Sequence, residues 1–348
     1  MTYLYEKAVT PKSGLRLHLN ENTGGCSPAV LDALRGITAE AVAFYPDYSE
    51  AIGAAAWRLG VPPSHLLLTN GLDEGILAAC LVAMRSARRN PAEAIVVVPA
   101  FDMQASCAET AGAKVVEVPL RDDFAFPTDE VIAAVKPITR IIFITSPNNP
   151  TGISAPPDGI LRIAAAAPQA IVFVDEAYAD FSGSSLIGDP ALAAHPNIIV
   201  GRTFAKAYGL AALRCGALVG ALEKLEAIRR ALPPYSVNLA AAVALPAALR
   251  DHAYYEWYLE QVRESKRLLY ATLDRLAVPY WQSDANFVLA RFGDRAADVC
   301  SLLAARGIYV RDRSKNHGCA GCVRITAGIV EHTRRCANAL EEVLCAVR

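Results

Sequence analysis

The stretch GRTFAKAYGLAALRCG, residues 201–216, sets one lysine, Lys206, among small and apolar residues, with Arg214 eight positions on. The apolar run NIIVG (197–201) leads into it and reads as a buried strand. An amine held at the mouth of a sheet against an apolar flank suits attack on an aldehyde. The plain alternative is a solvated lysine. A second strand-like run ends in DEAY (175–178), which puts Asp175 where water is scarce. A buried carboxylate without a cation is costly, so Asp175 calls for a partner. Lys206, Arg214 or a protonated heterocycle nitrogen would each serve.

Two further stretches carry polar groups at strand ends. NGLDEG (70–75) opens a helix after a strand, so the free N–H groups of Leu72 and Asp73 suit a phosphate. An ordinary Asx cap is the alternative. SPNNPTG (146–152) fixes a tight turn from which two asparagines can donate hydrogen bonds, although a plain turn has the same composition. Together these groups match a cofactor with an aldehyde, a pyridine nitrogen, a phenolic oxygen and a phosphate.

The elements that must hold these groups are short, nearly unbroken apolar runs: LLLTN (66–70), AIVVVP (94–99), IIFITS (141–146), IVFVDE (171–176), NIIVG and ALVGA (217–221). Helical periodicity between them, as in 74–87 and 158–167, predicts an α/β fold with a mostly parallel sheet covered on both faces. In such sheets ligands sit beyond the carboxyl ends of the strands, where NGLDEG, PAFD, SPNNPTG, DEAY and RTFAK all fall. After ALPPY (231–235) the texture changes to one long charged helix over roughly 238–276. ANFVLARF, a helix near 295–305, IYVR, CVRITAG and a last helix from about 330 follow, which predicts a smaller α+β domain. The division expected is a large domain over 30–237 and a small one from 1–29 with 238–348.

The 348 residues suffice for such a core without metal or disulfide support. A net charge of −1 gives no field for nucleic acid or a membrane surface. Nine scattered cysteines and an N-terminus without a basic-then-apolar pattern point to a cytoplasmic chain with reduced thiols. HGCAGC (317–322) lacks the ligands of a zinc site and reads as a turn with Cys322 buried, and RDDFAFPTDE (121–130) reads as a solvated loop and cap. The basic cluster RRN (88–90) is too small to signal nucleic acid.

From LHLNEN (17–22) through FYPD, GLDEGI, SPNNPTG, DEAY, RTFAKAYGLAALRCG and YVRD to GCVRITAG (321–328), the chain resembles the pyridoxal-phosphate-dependent aminotransferases. The likeness is to those of the aspartate-aminotransferase fold, which has a large, mostly parallel seven-stranded sheet domain, and within them to the histidinol-phosphate aminotransferases. The resemblance implies pyridoxal 5'-phosphate as cofactor, an amino donor and a 2-oxo acid as substrates, and a homodimer. It implies that Lys206 anchors the cofactor covalently and shuttles a proton. Asp175 would face the pyridinium nitrogen, Asn149 and Tyr178 the phenolic oxygen, and Phe101 would stack on the ring. Leu72, Asp73, Thr203 and Arg214 would hold the cofactor phosphate, with Tyr45 reaching that of a neighbouring subunit. Arg324, Arg311 and Asn22 would meet the substrate.

The sequence departs from the family at Ala205, where a phosphate-binding serine is usual, and at TGGCSP after LNEN. The N-terminal tyrosine of the family has only Tyr3 or Tyr5 as a counterpart. The departures at TGGCSP and at the N-terminus leave an aminotransferase for an aromatic or other amino acid as the alternative, and a same-fold decarboxylase and a non-catalytic binding protein stand as further readings.

Overall fold

The computed structural model describes residues 11–85 and 91–346. Tyr3, Tyr5 and the cluster at 88–90 lie outside the described residues. Twelve strands are present among the described residues: β1 (Leu15–Arg16), β2 (Leu66–Asn70), β3 (Glu93–Val98), β4 (Lys114–Pro119), β5 (Thr139–Thr145), β6 (Ile171–Asp175), β7 (Ile198–Thr203), β8 (Cys215–Gly220), β9 (Phe287–Arg291), β10 (Ile308–Tyr309), β11 (Arg311–Asp312) and β12 (Cys322–Thr326). The helices are α1 (Pro28–Arg35), α2 (Ala39–Ala43), α3 (Ser49–Leu59), α4 (Leu72–Arg85), α5 (Met103–Thr110), α6 (Thr128–Ala134), α7 (Pro157–Ala166), α8 (Ala179–Ser182), α9 (Leu222–Arg229), α10 (Leu239–Arg250), α11 (His252–Arg275), α12 (Ala296–Ala305) and α13 (Val330–Ala346). No helix of the described residues is long and apolar enough to cross a membrane.

Seven strands form the large sheet in the order β2-β8-β7-β6-β5-β3-β4. All run in one direction except β8, which is antiparallel to β2 and β7. Side chains alternate across the central strands. Ile142, Ile144, Val172 and Val174 enter one core, with α3, α7 and α10, while Ile141, Phe143, Ile171 and Phe173 enter another, with α4, α5 and α9. Because both faces are covered, these strands read as continuous apolar runs. The carboxyl ends of β2, β3, β5, β6 and β7 share one edge, and the functional candidates gather there.

A third core holds the antiparallel sheet β11-β12-β9 with α11, α12 and α13. The start of the chain is threaded into it. β1 pairs with β10, and Leu17 bridges onward, donating its N–H to Tyr309 O at 2.8 Å and accepting from Thr326 N–H at 3.0 Å. This threading carries residues 18–20 to the edge of the large sheet.

The long helix expected over 238–276 is two helices. Asp251 ends α10 and caps α11, its carboxylate accepting from the Tyr254 N–H at 3.0 Å and from the Ser27 hydroxyl. Ala241, Ala244, Leu245 and Ala248 of α10 pack into the large-sheet core, so that packing runs past the division expected at 237. The acidic 121–130 stretch is less solvated than expected. Its Phe124 is buried and meets Trp281 edge-on, ring centroids 4.8 Å apart.

Behind the strand ends lies a buried polar network. Arg202 contacts Glu176 at 3.3 Å and Asp180 at 3.0 Å, and Tyr255 donates its hydroxyl to Asp180 at 3.0 Å. Arg202→Met would leave two carboxylates uncompensated in the core, and the expected loss is about 3–5 kcal/mol of stability, read by urea unfolding. A loss under about 1 kcal/mol would show that the network carries little of the fold.

Candidate active site

A cavity of ≈ 280 Å³ opens at the carboxyl edge of the large sheet and is roofed by β11, β12 and the threaded N-terminal segment. Its wall includes Leu72, Asp73, Phe101, Asn149, Asp175, Tyr178, Thr203, Lys206, Arg214, Arg311 and Arg324, so residues far apart in sequence meet in one place.

At its floor, Asp175 is only 3% exposed. One carboxylate oxygen accepts from the Ala177 N–H at 3.0 Å and the other from the Gln104 amide at 3.3 Å. Burial pushes its carboxyl up to about 6, against the pull of those hydrogen bonds and of Lys206. Neither proposed protein partner pairs with it. Arg214 reaches Asp73 at 2.8 Å, and the Lys206 Nζ donates to Leu19 O at 2.9 Å. No ammonium or guanidinium among the described residues stands within ion-pair distance of Asp175. A cationic ligand atom fits there.

The opposite end is shaped for an anion. Helix α4 starts at Leu72, and Leu72 and Asp73 line the cavity, so the positive end of the helix, with N–H groups that have no intrahelical partner, lies at this end. Gly216 allows the close docking of that helix start, since a Cβ there would lie 2.7 Å from Leu72 N. Gly71, at φ +77°, leaves room for the Arg214 guanidinium, which a Cβ would meet at 2.6 Å. Thr203 adds a hydroxyl, which accepts from the Ala205 N–H at 3.2 Å. Ala205 itself is buried and offers no hydroxyl.

Between the two ends, Tyr178 accepts a hydrogen bond at 2.9 Å from the Asn20 amide, leaving its own O–H proton to be donated elsewhere. The ring of Tyr178 lies 5.9 Å from Lys206 Nζ. Arg324 is held by His18 O at 2.7 Å and by the Asn149 side-chain oxygen, with its guanidinium 5.3 Å from the Phe287 ring centre. Arg311 and Arg324 are direct cross-strand partners on β11 and β12. Like charges placed opposite each other repel, so this pair favours an anion beside it.

Two candidates are not brought to the cavity wall. Asn22 is buried, with its amide on Ala207 O at 3.1 Å and its oxygen on the Gly24 N–H at 2.9 Å, so it braces the turn after Lys206. Its neighbour Asn20 takes the place at the cavity. Tyr45 is 78% exposed and stacks on Tyr235 with centroids 4.2 Å apart. Sequence reasoning also missed Gln104, whose only signal is its place one turn after PAFD, and Arg313, two residues beyond Arg311. Cys322 and Cys319 are fully buried in the turn that precedes and opens β12.

The family model for aminotransferase class I and II matches residues 12–340. The chain is 34% identical to the histidinol-phosphate aminotransferase of Methanococcoides burtonii, over 96% of this chain and 91% of that protein. It is likewise 34% identical to histidinol-phosphate aminotransferase 2 of Ralstonia nicotianae, over 95% and 88%. The Sinorhizobium meliloti histidinol-phosphate aminotransferase, solved with pyridoxal-5'-phosphate, superposes with a TM-score of 0.85 at 24% identity, covering 96% of this chain and 92% of that one.

Proposed function

The chain belongs to the class I and II aminotransferases, and from that premise we propose that it transfers an amino group between histidinol phosphate and 2-oxoglutarate. In the biosynthetic direction glutamate would be the donor and imidazole-acetol phosphate the acceptor. The observation that carries this reading is the gathering of Lys206, Asp175 and the arginine pair Arg311 and Arg324 around one cavity. Two guanidinium groups suit a phosphate dianion better than one carboxylate.

Bound pyridoxal phosphate supplies an electron sink for the charge left when a proton leaves the substrate α-carbon. Asp175 fits its ring nitrogen, being a buried carboxylate without a cation, and holds the proton on that nitrogen. Tyr178 and Asn149 orient the phenolic oxygen, and the Asn20 contact leaves the Tyr178 proton facing outward. Phe101 offers its ring face for stacking. Leu72 and Asp73 N–H groups, the Thr203 hydroxyl and Arg214 take the phosphate, with one hydroxyl fewer because residue 205 is alanine. Lys206 Nζ is the covalent anchor and the group that moves the proton at the substrate α-carbon. Arg324 meets the substrate already oriented by His18 O and Asn149.

A homodimer in the cytoplasm is part of the same reading. Val42, Phe44 and Tyr45 are all exposed on one short segment, which suits burial against a second copy. From there Tyr45 would reach the cofactor phosphate of that copy.

Histidinol phosphate should bleach the visible absorbance of the cofactor-loaded protein faster than phenylalanine, tyrosine or histidine does in stopped flow. The reverse ranking would assign the chain to aromatic amino acids instead.

A further inference from the structure

We infer that Arg313 is a further specificity-determining residue, a third guanidinium that makes the site select a phosphate monoester over a carboxylate. The inference rests on the reading of the substrate as a phosphorylated amine and names the residue that discriminates for it.

Arg313 is 8% exposed, lines the same cavity as Arg311 and Arg324, and has a buried Nε without a hydrogen-bond partner. No carboxylate stands within ion-pair distance of it among the described residues. Asp102, across the cavity wall, is the acid that acts on it from farther away. A guanidinium buried without a paired anion is costly unless a ligand completes it.

Its placement follows from the strand. The Arg313 N–H donates to Cys322 O at 2.9 Å, so the β11–β12 pairing continues one step past Asp312. Residues two apart on an extended strand face the same side, which puts Arg313 beside Arg311 while Asp312 points outward and is exposed. Three guanidinium groups then surround one end of the cavity. Arg324 is already held by protein acceptors. Both terminal nitrogens of Arg324 are taken up in this way and only its Nε is left over. The Arg313 fork has a buried, unpartnered Nε and no side-chain acceptor among the described residues, so it has the most donor capacity left for a further phosphate oxygen. A carboxylate has two oxygens and one charge and gains less from it.

The test is calorimetric titration of methyl phosphate and of acetate into the cofactor-loaded protein, where the cofactor's own phosphate site is filled. Arg313→Gln should weaken methyl phosphate binding by about tenfold to a hundredfold and acetate binding by less than about threefold. In turnover, KM for histidinol phosphate should rise by a similar factor with kcat changed less than about threefold. Arg313→Lys, which keeps the charge but not the fork, should fall between the two and serves if the glutamine variant does not fold. Equal losses for both anions, unchanged methyl phosphate binding in the variants, or no methyl phosphate binding by the unaltered protein would each overturn the inference. If the unaltered protein rejects histidinol phosphate but the methyl phosphate contrast holds, the proposed substrate fails and the role of Arg313 stands.

Discussion

Replacement of Lys206 by alanine is expected to lower turnover by about 10⁴-fold or more, the largest effect of any single substitution in the chain. Two functions leave with one amine: the covalent hold on the cofactor and the proton carrier at the substrate α-carbon. The fold should survive, because the Lys206 side chain makes a single hydrogen bond, to Leu19 O, and sits on a loop whose neighbours Ala205, Ala207 and Tyr208 carry the packing. Unfolding midpoints of the cofactor-free variant should therefore match those of the unaltered cofactor-free protein, while single-turnover rates measured with added pyridoxal phosphate collapse. A small primary amine added to the solution should restore part of the rate, since it can take up the missing proton transfer. A variant retaining more than about a tenth of the rate would remove Lys206 from the chemistry.

Asp175→Asn is expected to act in opposite directions on activity and on stability. Turnover should fall by at least about 10²-fold, because an amide cannot hold the ring nitrogen protonated. Stability of the cofactor-free protein should rise. The folded chain holds the Asp175 carboxyl at about 6 against an ordinary value of 3.8, so its contribution to stability is fully present below about pH 3.8 and is lost as pH rises through about 6. That difference corresponds to about 3 kcal/mol for this completely buried group. The asparagine variant has no such loss. Its advantage in urea unfolding should be small near pH 4 and grow to about 3 kcal/mol by pH 8. An advantage that stays constant with pH would mean that Asp175 carries no burial penalty. Loading with cofactor should shrink the gap in the unaltered protein, since the ring nitrogen supplies the missing cation.

Such opposition between stability and activity identifies a site built at the expense of the fold, and it explains which parts of the molecule could be read from sequence. The central strands were legible because the sheet is covered on both faces, so β2, β5, β6 and β7 appear as apolar runs within a residue or two of their observed ends. The edge strand β4 was not, since Lys114 and Glu117 interrupt its apolar residues where the sheet meets solvent. The break between α10 and α11 was hidden for a different reason. Pro246 lies inside α10, and the chain turns instead at Asp251, which no glycine or proline marks.

The same contrast holds at the site. Lys206, Asp175 and Asn149, which line the cavity, had a local signal because each sits at or just after the end of a readable strand, while Thr203 was named through the family resemblance. Asn20, Gln104 and Arg313 depend on how separate elements meet. Asn20 comes to the cavity only because residues 15–17 run between β10 and β12, a tertiary fact that no local pattern in LHLNEN encodes. Two asparagines stand there two residues apart, and only packing decides which one faces Tyr178 and which one braces Ala207. Arg313 had a local signal, the alternation in YVRDR, but its burial follows from the roof that β11 and β12 form.

The claim that everything else rests on is that one amine and one buried acid address the same ring. Borohydride treatment of the protein with pyridoxal phosphate, followed by peptide mass mapping, tests the amine directly. The account predicts a pyridoxyl label on Lys206 that is absent from Lys206→Ala. A label on any other lysine, or none, would contradict it.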